Sequence, residues 1–509
     1  TTVETEPCMS IPEFATPDAT RQFADQHQKK YSKNAYRQLG RTGLTVSRLG
    51  FGTYRCHAEV ELHKTALKMT LEHGCNLIDT SANYTDGMAE VMIGDIFNDF
   101  IVWNGKPREA YVVVSKVGYI QGDNMDIAKD RENNSDPFPE VVKYHTDMWH
   151  CIHPAYIEDQ ITRSLARMHL DTLDVYLLHN PEYFLMHAEQ QNFDLAAAEK
   201  QFYNRLRRAF VQMEKLVNDG LIRWYGISSN SFPLPADDPH HVSLAKVWAA
   251  YGDACLQLGI APEDGHFAVI QLPFNMLENG AETEKNNAFQ NENLTVLQLA
   301  EKLNLGVLAN RPLNAIDGNR LLRLANYGAE PDTDYSSKFE IELEKAQQIE
   351  DELVSFVASE NLQLGSEGKA FREFLQSSVH LRMLTRQNMD VSTFRMLLAQ
   401  RLNPLTEFGK RVLLEKSNPE SGIGKTIERY FAALQSAADV WLMELDRRNS
   451  IALKETVSAF DSAHPQWQQQ SLSQKALLQT LHSGEVHVSL VGMRSPEYVK
   501  DSLEVLKLL

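Results

Sequence analysis

The segment Ser164-Leu-Ala-Arg-Met-His-Leu-Asp-Thr-Leu-Asp-Val-Tyr-Leu-Leu-His179 contains the junction of two kinds of element. Apolar residues recur at three- and four-residue spacing over 154–170, which predicts an amphipathic helix. From Asp174 a short apolar run ends in a polar residue, His179, and predicts a buried strand. A helix that leads directly into a buried strand is the repeating unit of a parallel α/β fold.

The same alternation continues along most of the chain. Eight apolar runs have the length of strands: 49–52, 76–81, 111–117, 174–179, 222–229, 267–275, 306–313 and 486–492. Helical patterns separate them, for example over 58–73, 195–219 and 293–304. We therefore predict an α/β fold, a (β/α)₈ TIM barrel, preceded by an N-terminal β-hairpin around 36–46. An open doubly wound sheet is the alternative, but no G-x-G-x-x-G loop follows the first strand.

The spacing of the runs predicts the domain organisation. Residues 1–33 form a polar N-terminal extension, 34–325 the barrel through strand 7, and 471–509 its completion with helix 7, strand 8 and helix 8. The intervening 326–470 is rich in Leu, Glu, Gln and Lys and predicts a large helical insertion between strands 7 and 8, with a structural role favoured over a separate binding module. A second enlargement, 119–151, follows strand 3 and is the first candidate for a substrate lid, because barrel active sites form at the carboxyl ends of strands.

The composition of the chain excludes some classes of binding partner. The chain has 509 residues, 43% of them hydrophobic, and a formal net charge of −18, which argues against nucleic acid or an anionic membrane and favours a small-molecule partner. Five scattered cysteines without C-x₂-C spacing favour a reducing compartment. Without a long apolar segment or a secretory signal, we expect a cytoplasmic protein, and a removed organelle-targeting segment stays open.

Four polar residues stand at or near the ends of successive strands: Asp79, Tyr84, Lys116 and His179. Each alone is more often structural than functional, but closure of a barrel would bring all four to one face. Together they suit carbonyl reduction, because hydride delivery to a carbonyl carbon leaves charge on oxygen that a general acid must neutralise. Tyr84 would be that acid, made more acidic by the Lys116 ammonium, with Asp79 holding Lys116 and His179 orienting the carbonyl.

Several motifs resemble those of the aldo-keto reductases. They are Leu39-Gly-Arg-Thr-Gly-Leu-Thr-Val-Ser-Arg-Leu-Gly-Phe-Gly-Thr53, Gly74-Cys-Asn-Leu-Ile-Asp-Thr-Ser-Ala-Asn-Tyr84, Ser115-Lys116, the segment ending at His179, Ile222-Arg-Trp-Tyr-Gly-Ile-Ser-Ser-Asn230 and Leu490-Val-Gly-Met-Arg-Ser495. The resemblance covers about 36–320 and 470–509. It implies an NAD(P)H-dependent oxidoreductase that reduces an aldehyde or ketone, or oxidises the matching alcohol, with the four residues above as its catalytic group.

The resemblance also implies a cofactor site, for which NADP is expected and NAD is the alternative. The nicotinamide amide would meet Gln271 and two residues of the run Ser228, Ser229 and Asn230, whose register stays open. The remaining cofactor-binding residues expected are Gly52, Thr53, Tyr54, Arg311, Gly492, Arg494, Ser495 and Asp501. Three sites depart from the family: Asn310 stands where many relatives have an aromatic residue, Asp501-Ser502 replaces a Glu-Asn pair, and Tyr498 stands at a customary Arg or Gln position.

Other classes remain open. A cofactor-binding regulatory subunit, similar to potassium-channel β subunits, would sense redox state and contact a partner through the helical insertion. A barrel isomerase or lyase would leave the nicotinamide-binding residues without a role. His145, His150 and His153 beside Asp147 are a weak metal pattern, because they lack a helix-face H-x-x-x-H, and we expect no metal. The sequence does not specify the substrate, the direction of reaction or the oligomeric state.

Overall fold

The computed structural model describes residues 10–318, 320–326, 328–359, 367–387, 389–416 and 423–509. The chain divides into two compact units. The first unit is made of two segments, the chain up to Leu313 and Ser473–Leu509. The second unit is the segment between them, Asn314–Leu472.

The first unit is a closed barrel of eight parallel strands, each paired with the next in chain order and the last with the first. The strands are β1 Leu49–Gly52, β2 Leu77–Asp79, β3 Val112–Val117, β4 Leu173–His179, β5 Ile222–Ser228, β6 Phe267–Pro273, β7 Gly306–Asn310 and β8 Val488–Val491. Every apolar run that the sequence predicts as a strand overlaps one of them. The (β/α)₈ prediction is confirmed.

Helices surround the barrel: Glu61–Glu72, Met88–Phe97, Pro154–Met168, Leu195–Asn218, Leu244–Leu258, Val296–Lys302, Leu472–His482 and Pro496–Leu508. Buried apolar side chains of the strands form one core cluster, among them Val112, Val175 and Val488. Gly226 lies where β5 approaches β6 closely, since a Cβ there would stand 1.6 Å from the carbonyl oxygen of Val269. The interior of the barrel is thus a packed core, and polar side chains that could bind a ligand lie at the ends of the strands.

The amino-terminal end of the barrel is closed by the antiparallel hairpin Tyr36–Gln38 and Thr45–Ser47 and by residues before it. The helix Pro17–His27 buries Phe23 and Ala24. The Ala15 amide donates a 2.6 Å hydrogen bond to Asp174, whose carboxylate also binds Arg108 at 2.7 Å. The segment expected to be a polar extension therefore contributes, from residue 10 onward, to the packed base of the barrel.

At the carboxyl ends of the strands, residues 119–150 form the helix Gly122–Asn133 and a three-stranded antiparallel sheet of Tyr119–Ile120, Met148–His150 and Val142–His145. Smaller elements at the same end are the helices Tyr183–Gln190 and Gly280–Thr283 and the hairpin Asn287–Phe289 with Glu292–Leu294. The enlargement after strand 3 is thus a folded structure rather than a plain loop.

The second unit contains the hairpin Asn314–Asp317 with Arg320–Arg323 and the helices Tyr335–Ser359, Gly368–Phe374, Ser377–Thr385, Val391–Leu397, Asn403–Lys416 and Ile423–Ala463. It has a core of its own that includes Phe339, Phe374 and Trp441. The unit begins at Asn314, before the expected boundary at 326, because the hairpin groups with the helices. None of the helices in the described ranges is long and apolar enough to cross a membrane.

Candidate active site

The four residues singled out at the strand ends lie together at the carboxyl end of the barrel. Asp79 is the last residue of β2, Lys116 lies in β3, His179 ends β4, and Tyr84 begins the helical turn Tyr84–Gly87. The Nζ of Lys116 is 2.8 Å from Asp79 Oδ2 and 3.3 Å from the hydroxyl of Tyr84. The ring of His179 stands edge-on to that of Tyr84, with 6.0 Å between the ring centres.

The Lys116–Asp79 pair is buried. Burial lowers the pKa of Lys116 and raises the pKa of Asp79, and the attraction between the two charges opposes both shifts. Further hydrogen bonds compensate for the lost water: Lys116 donates to the carbonyl of Thr80 at 2.7 Å, and Gln271 donates to Asp79 Oδ1 at 2.8 Å. Buried charges persist only when paired and hydrogen-bonded in this way, so the pair presents a fixed ammonium to the Tyr84 oxygen.

Tyr84 holds its proton in this environment. Burial, assisted by the negative charge of Asp79, raises the pKa of Tyr84 well above the usual 10. The sequence argument expects Lys116 to make the phenol more acidic, but the desolvation of a phenolate is the larger effect in the protein alone. A neutral phenol that accepts a hydrogen bond from Lys116 keeps its own O–H for another acceptor.

His179 is a neutral imidazole. Burial and the nearby Lys116 charge hold the pKa of His179 well below its usual range. Its Nδ1 lies 3.1 Å from Ser81 Oγ, and the ring of Tyr119 stands edge-on at 4.7 Å. Since Nδ1 is occupied by Ser81, Nε2 is the nitrogen left to meet a ligand.

The histidines of the 119–151 segment have other contacts. His150 Nε2 binds the backbone oxygen of His179 at 2.7 Å, and His145 lies 3.4 Å from Asp147. Within the ranges that the structure describes, no three His, Cys, Asp or Glu side chains are grouped so as to hold a metal ion.

Gln271 connects Asp79 to the segment expected to hold the nicotinamide. Its Oε1 accepts from Ser228 Oγ at 3.0 Å and from Asn310 Nδ2 at 3.4 Å, while its Nε2 binds Asp79. The hydroxyl of Ser229 instead accepts the amide of Ser231, and the side chain of Asn230 is exposed. Ser228 is therefore the member of the run that faces Gln271.

The end of β1 lies beside Asp79 and Tyr84. Thr53 donates its amide to the carbonyl of Asp79 at 2.9 Å, next to the buried Gly52. The side chain of Tyr54 is 60% exposed, and its ring stands edge-on to that of Tyr84 at 5.3 Å. Tyr54 thus forms an accessible wall over the phenol.

The residues expected at the phosphates and the adenosine end of the cofactor fall into two groups. Gly492, Arg494 and Ser495 precede the helix Pro496–Leu508, where Ser495 caps the first turn by accepting the Tyr498 amide. Arg311 and Asp501 are bound to other protein groups. Arg311, in a left-handed conformation with φ of 56°, pairs with Glu278 at 2.6 Å. Asp501 accepts from Ser473 Oγ at 2.6 Å and Gln474 Nε2 at 3.0 Å.

The Aldo/keto reductase family model matches residues 48–364. The chain belongs to this family. Among its curated relatives, an NADH-specific methylglyoxal reductase of Escherichia coli (strain K12) is 28% identical over 28% of this chain and 40% of its own length. The uncharacterized oxidoreductase YqkF of Bacillus subtilis (strain 168) is 25% identical over 38% of this chain and 48% of its own. The chain thus spans less than half the length of these two relatives.

Solved aldo-keto reductase structures resemble the chain at low sequence identity. The structure of a glycerol dehydrogenase from Gluconobacter oxydans is 17% identical, with a TM-score of 0.45, over 93% of this chain and 90% of that one. Membership of the aldo-keto reductase family, expected from the sequence motifs, is confirmed by the family match.

Sequence reasoning missed other polar residues at this end of the barrel. Ser81, Asn83 and Gln121 form a hydrogen-bonded series that begins at His179. Glu182 is buried and accepts the Asn230 amide at 2.8 Å, and burial raises its pKa to about 7. Ser81 and Asn83 stand within the recognised Asp79–Tyr84 motif, but only the fold places Gln121 beside them.

Proposed function

We propose that the protein reduces an aldehyde or ketone with an NAD(P)H cofactor, or oxidises the matching alcohol, and that Tyr84 is the general acid. The observation that carries the proposal is the contact of the buried Lys116 ammonium with the Tyr84 hydroxyl, 3.3 Å away, while Asp79 holds that ammonium at 2.8 Å. This arrangement stabilises the phenolate that remains after the proton has left.

The residues present fit a nicotinamide carboxamide. In the part of the chain that the structure describes, Asn310 Oδ1 and Thr53 Oγ1 are buried and have no hydrogen-bond partner. Buried polar atoms left in this way invite a ligand with complementary groups. Ser228, Gln271 and Asn310 would hold the carboxamide, and the bound cofactor would supply a hydride to the carbonyl carbon.

The remaining steps belong to this chain's own side chains. Tyr84 donates its proton to the carbonyl oxygen as the charge on that oxygen develops. Lys116 stabilises the resulting phenolate, and Asp79 keeps Lys116 charged and in place. His179 orients the carbonyl through Nε2. A proton from solvent restores Tyr84, so one hydride and one proton are added per alcohol formed.

We infer a preference for NADP over NAD. Arg494 and Ser495 precede a helix whose N-terminal amides favour an anion, and a guanidinium pairs well with a phosphate such as the one that distinguishes NADP. One relative is NADH-specific by name, so the preference must be measured on this protein. Among the residues that the structure describes, Cys56, Cys75, Cys151 and Cys255 are free and buried, which agrees with a reducing compartment, and we propose the cytoplasm.

The test combines cofactor binding with turnover. Wild type, Tyr84→Phe and Tyr176→Phe are titrated with NADPH and NADH by fluorescence and assayed on a panel of aldehydes and ketones. Tyr176 is a matched control, because it is a buried tyrosine whose hydroxyl has no partner among the described residues. We expect all three proteins to bind cofactor equally. We expect turnover to fall about 10²- to 10⁴-fold in Tyr84→Phe alone, the usual contribution of a general acid.

Two other outcomes have clear meanings. Binding without turnover of any carbonyl in the wild type would support the cofactor-binding regulatory subunit instead. Failure of the wild type to bind either nucleotide would contradict both functions.

A further inference from the structure

A hydrogen-bonded series leads from the active-site imidazole to the segment after β3. Ser81 Oγ lies 3.1 Å from His179 Nδ1 and donates to Asn83 Oδ1 at 2.7 Å. Asn83 Nδ2 in turn donates to Gln121 Oε1 at 3.1 Å. Ser81 is buried, and Gln121 directly precedes the helix Gly122–Asn133. The catalytic centre and the 119–151 segment are therefore joined by a continuous polar series.

The series matters because His179 is neutral. A neutral imidazole donates from one nitrogen and accepts at the other. Nδ1 meets Ser81, so the direction of that single hydrogen bond decides whether Nε2 donates to a ligand or accepts from it.

The serine has one proton to give. When Ser81 gives it to Asn83, as in this structure, Nδ1 must carry the imidazole proton and Nε2 can only accept. When Ser81 gives it to Nδ1, Nε2 carries the proton and can donate to a carbonyl oxygen. Rotation of the Asn83 and Gln121 amides by half a turn interconverts the two directions, because an amide has a donor at one end and an acceptor at the other.

We propose that Ser81, Asn83 and Gln121 are positioning residues that set the tautomer of His179. This inference rests on the proposed carbonyl reduction, for which Nε2 must donate. The direction shown here leaves Nε2 as an acceptor, and the reversed direction makes it the donor. Gln121 thereby couples the competence of His179 to the conformation of the 119–151 segment.

The variant Asn83→Asp tests the two directions of the hydrogen-bonded series, because it allows only one of them. A carboxylate at this position accepts hydrogen bonds but cannot donate one. The Ser81 hydroxyl therefore continues to donate to it, and the direction of the hydrogen-bonded series cannot reverse. We expect kcat to fall about 100-fold, the order of effect seen when one donor to a developing oxyanion is removed, with cofactor affinity unchanged. Ser81→Ala cuts the series and leaves both tautomers accessible, so we expect kcat to fall only about fivefold, the effect of one ordinary hydrogen bond.

The double variant controls for the new negative charge. Ser81→Ala/Asn83→Asp carries the same carboxylate without the hydroxyl, so its kcat should return to that of Ser81→Ala. A double variant as slow as Asn83→Asp would attribute the loss to charge and overturn the proposal. So would an Asn83→Asp enzyme at least as active as Ser81→Ala.

A spectroscopic readout keeps this test independent of turnover. Nitrogen-15 NMR distinguishes protonated from bare imidazole nitrogens, and the His179 signals are identified by their loss in His179→Asn. In cofactor-saturated Asn83→Asp, we expect His179 Nδ1 to be protonated. In the double variant, we expect His179 to lose this preference for the Nδ1-protonated tautomer. Identical Nδ1 signals would overturn the proposal. If the wild type reduces no carbonyl, the proposed function fails while the NMR comparison still tests tautomer control.

Discussion

Replacing Asp79 by Asn should destabilise the barrel in a pH-dependent manner. The substitution keeps the shape of the side chain but removes the charge that holds the fully buried Lys116 ammonium. In the wild type, burial already lowers the pKa of Lys116, and Asp79 is the largest influence that opposes this shift. Without that opposition, the pKa of Lys116 in the folded variant falls further below its value of about 10.4 in the unfolded chain.

The sign of the pH dependence follows from proton binding. Below the unfolded pKa of Lys116, the unfolded variant retains a proton that the folded variant has lost, so its stability rises with pH. Breaking a buried ion pair by removing one partner costs about 3–5 kcal/mol. We expect a loss of this size at pH 7 and partial recovery as the pH rises toward the unfolded pKa.

Thermal unfolding between pH 6.5 and 9.5 measures this effect in wild type, Asp79→Asn and Asp79→Asn/Lys116→Met. The double variant is the matched control, because it has no buried cation and should lose the added pH dependence. If the melting temperature of Asp79→Asn follows that of the wild type in parallel across this range, Lys116 does not depend on Asp79 for its charge, and the electrostatic description of the site is wrong.

Two further predictions concern the barrel and the cofactor. Gly226→Ala should lower the free energy of unfolding by about 3 kcal/mol or more, because the new Cβ would overlap the Val269 carbonyl oxygen 1.6 Å away. Gly252→Ala should raise the free energy of unfolding by about 1 kcal/mol, because Gly252 lies within the helix Leu244–Leu258 and no atom stands within 4 Å of the new Cβ. Urea unfolding compares the two, and equal effects would contradict the close packing of β5 on β6. Arg494→Gln should weaken NADPH about 10-fold or more through loss of a charge-assisted phosphate contact and leave NADH unchanged. Fluorescence titration measures the affinities for NADPH and NADH. Equal weakening of the two would contradict a contact between Arg494 and the 2′-phosphate.

The strand pattern could be predicted because strands buried on both faces appear in sequence as continuous apolar runs. Asp79, Lys116 and His179 could be placed together because carboxyl ends of parallel strands share one face of a barrel. Contacts between distant segments could not be predicted in this way. The ion pair of Arg311 with Glu278 and the hydrogen bond from the Ala15 amide to Asp174 both depend on where segments distant in the sequence meet.

The acidity of Tyr84 illustrates a second limit. Sequence identifies Lys116 as a cation that favours the phenolate, but the opposing effect of burial depends on how completely the site is enclosed. In the same way, the link from His179 to Gln121 requires the fold of residues 119–150, which places Gln121 beside Asn83.

Single-turnover oxidation of bound NADPH by an accepted carbonyl, compared in wild type, Tyr84→Phe and Tyr176→Phe, tests the central claim most directly. The proposed mechanism predicts that wild type and Tyr176→Phe transfer hydride at the same rate, while Tyr84→Phe, with equal cofactor affinity, is slower by about 100-fold or more. Hydride transfer by Tyr84→Phe at the wild-type rate would contradict the assignment of Tyr84 as the proton donor.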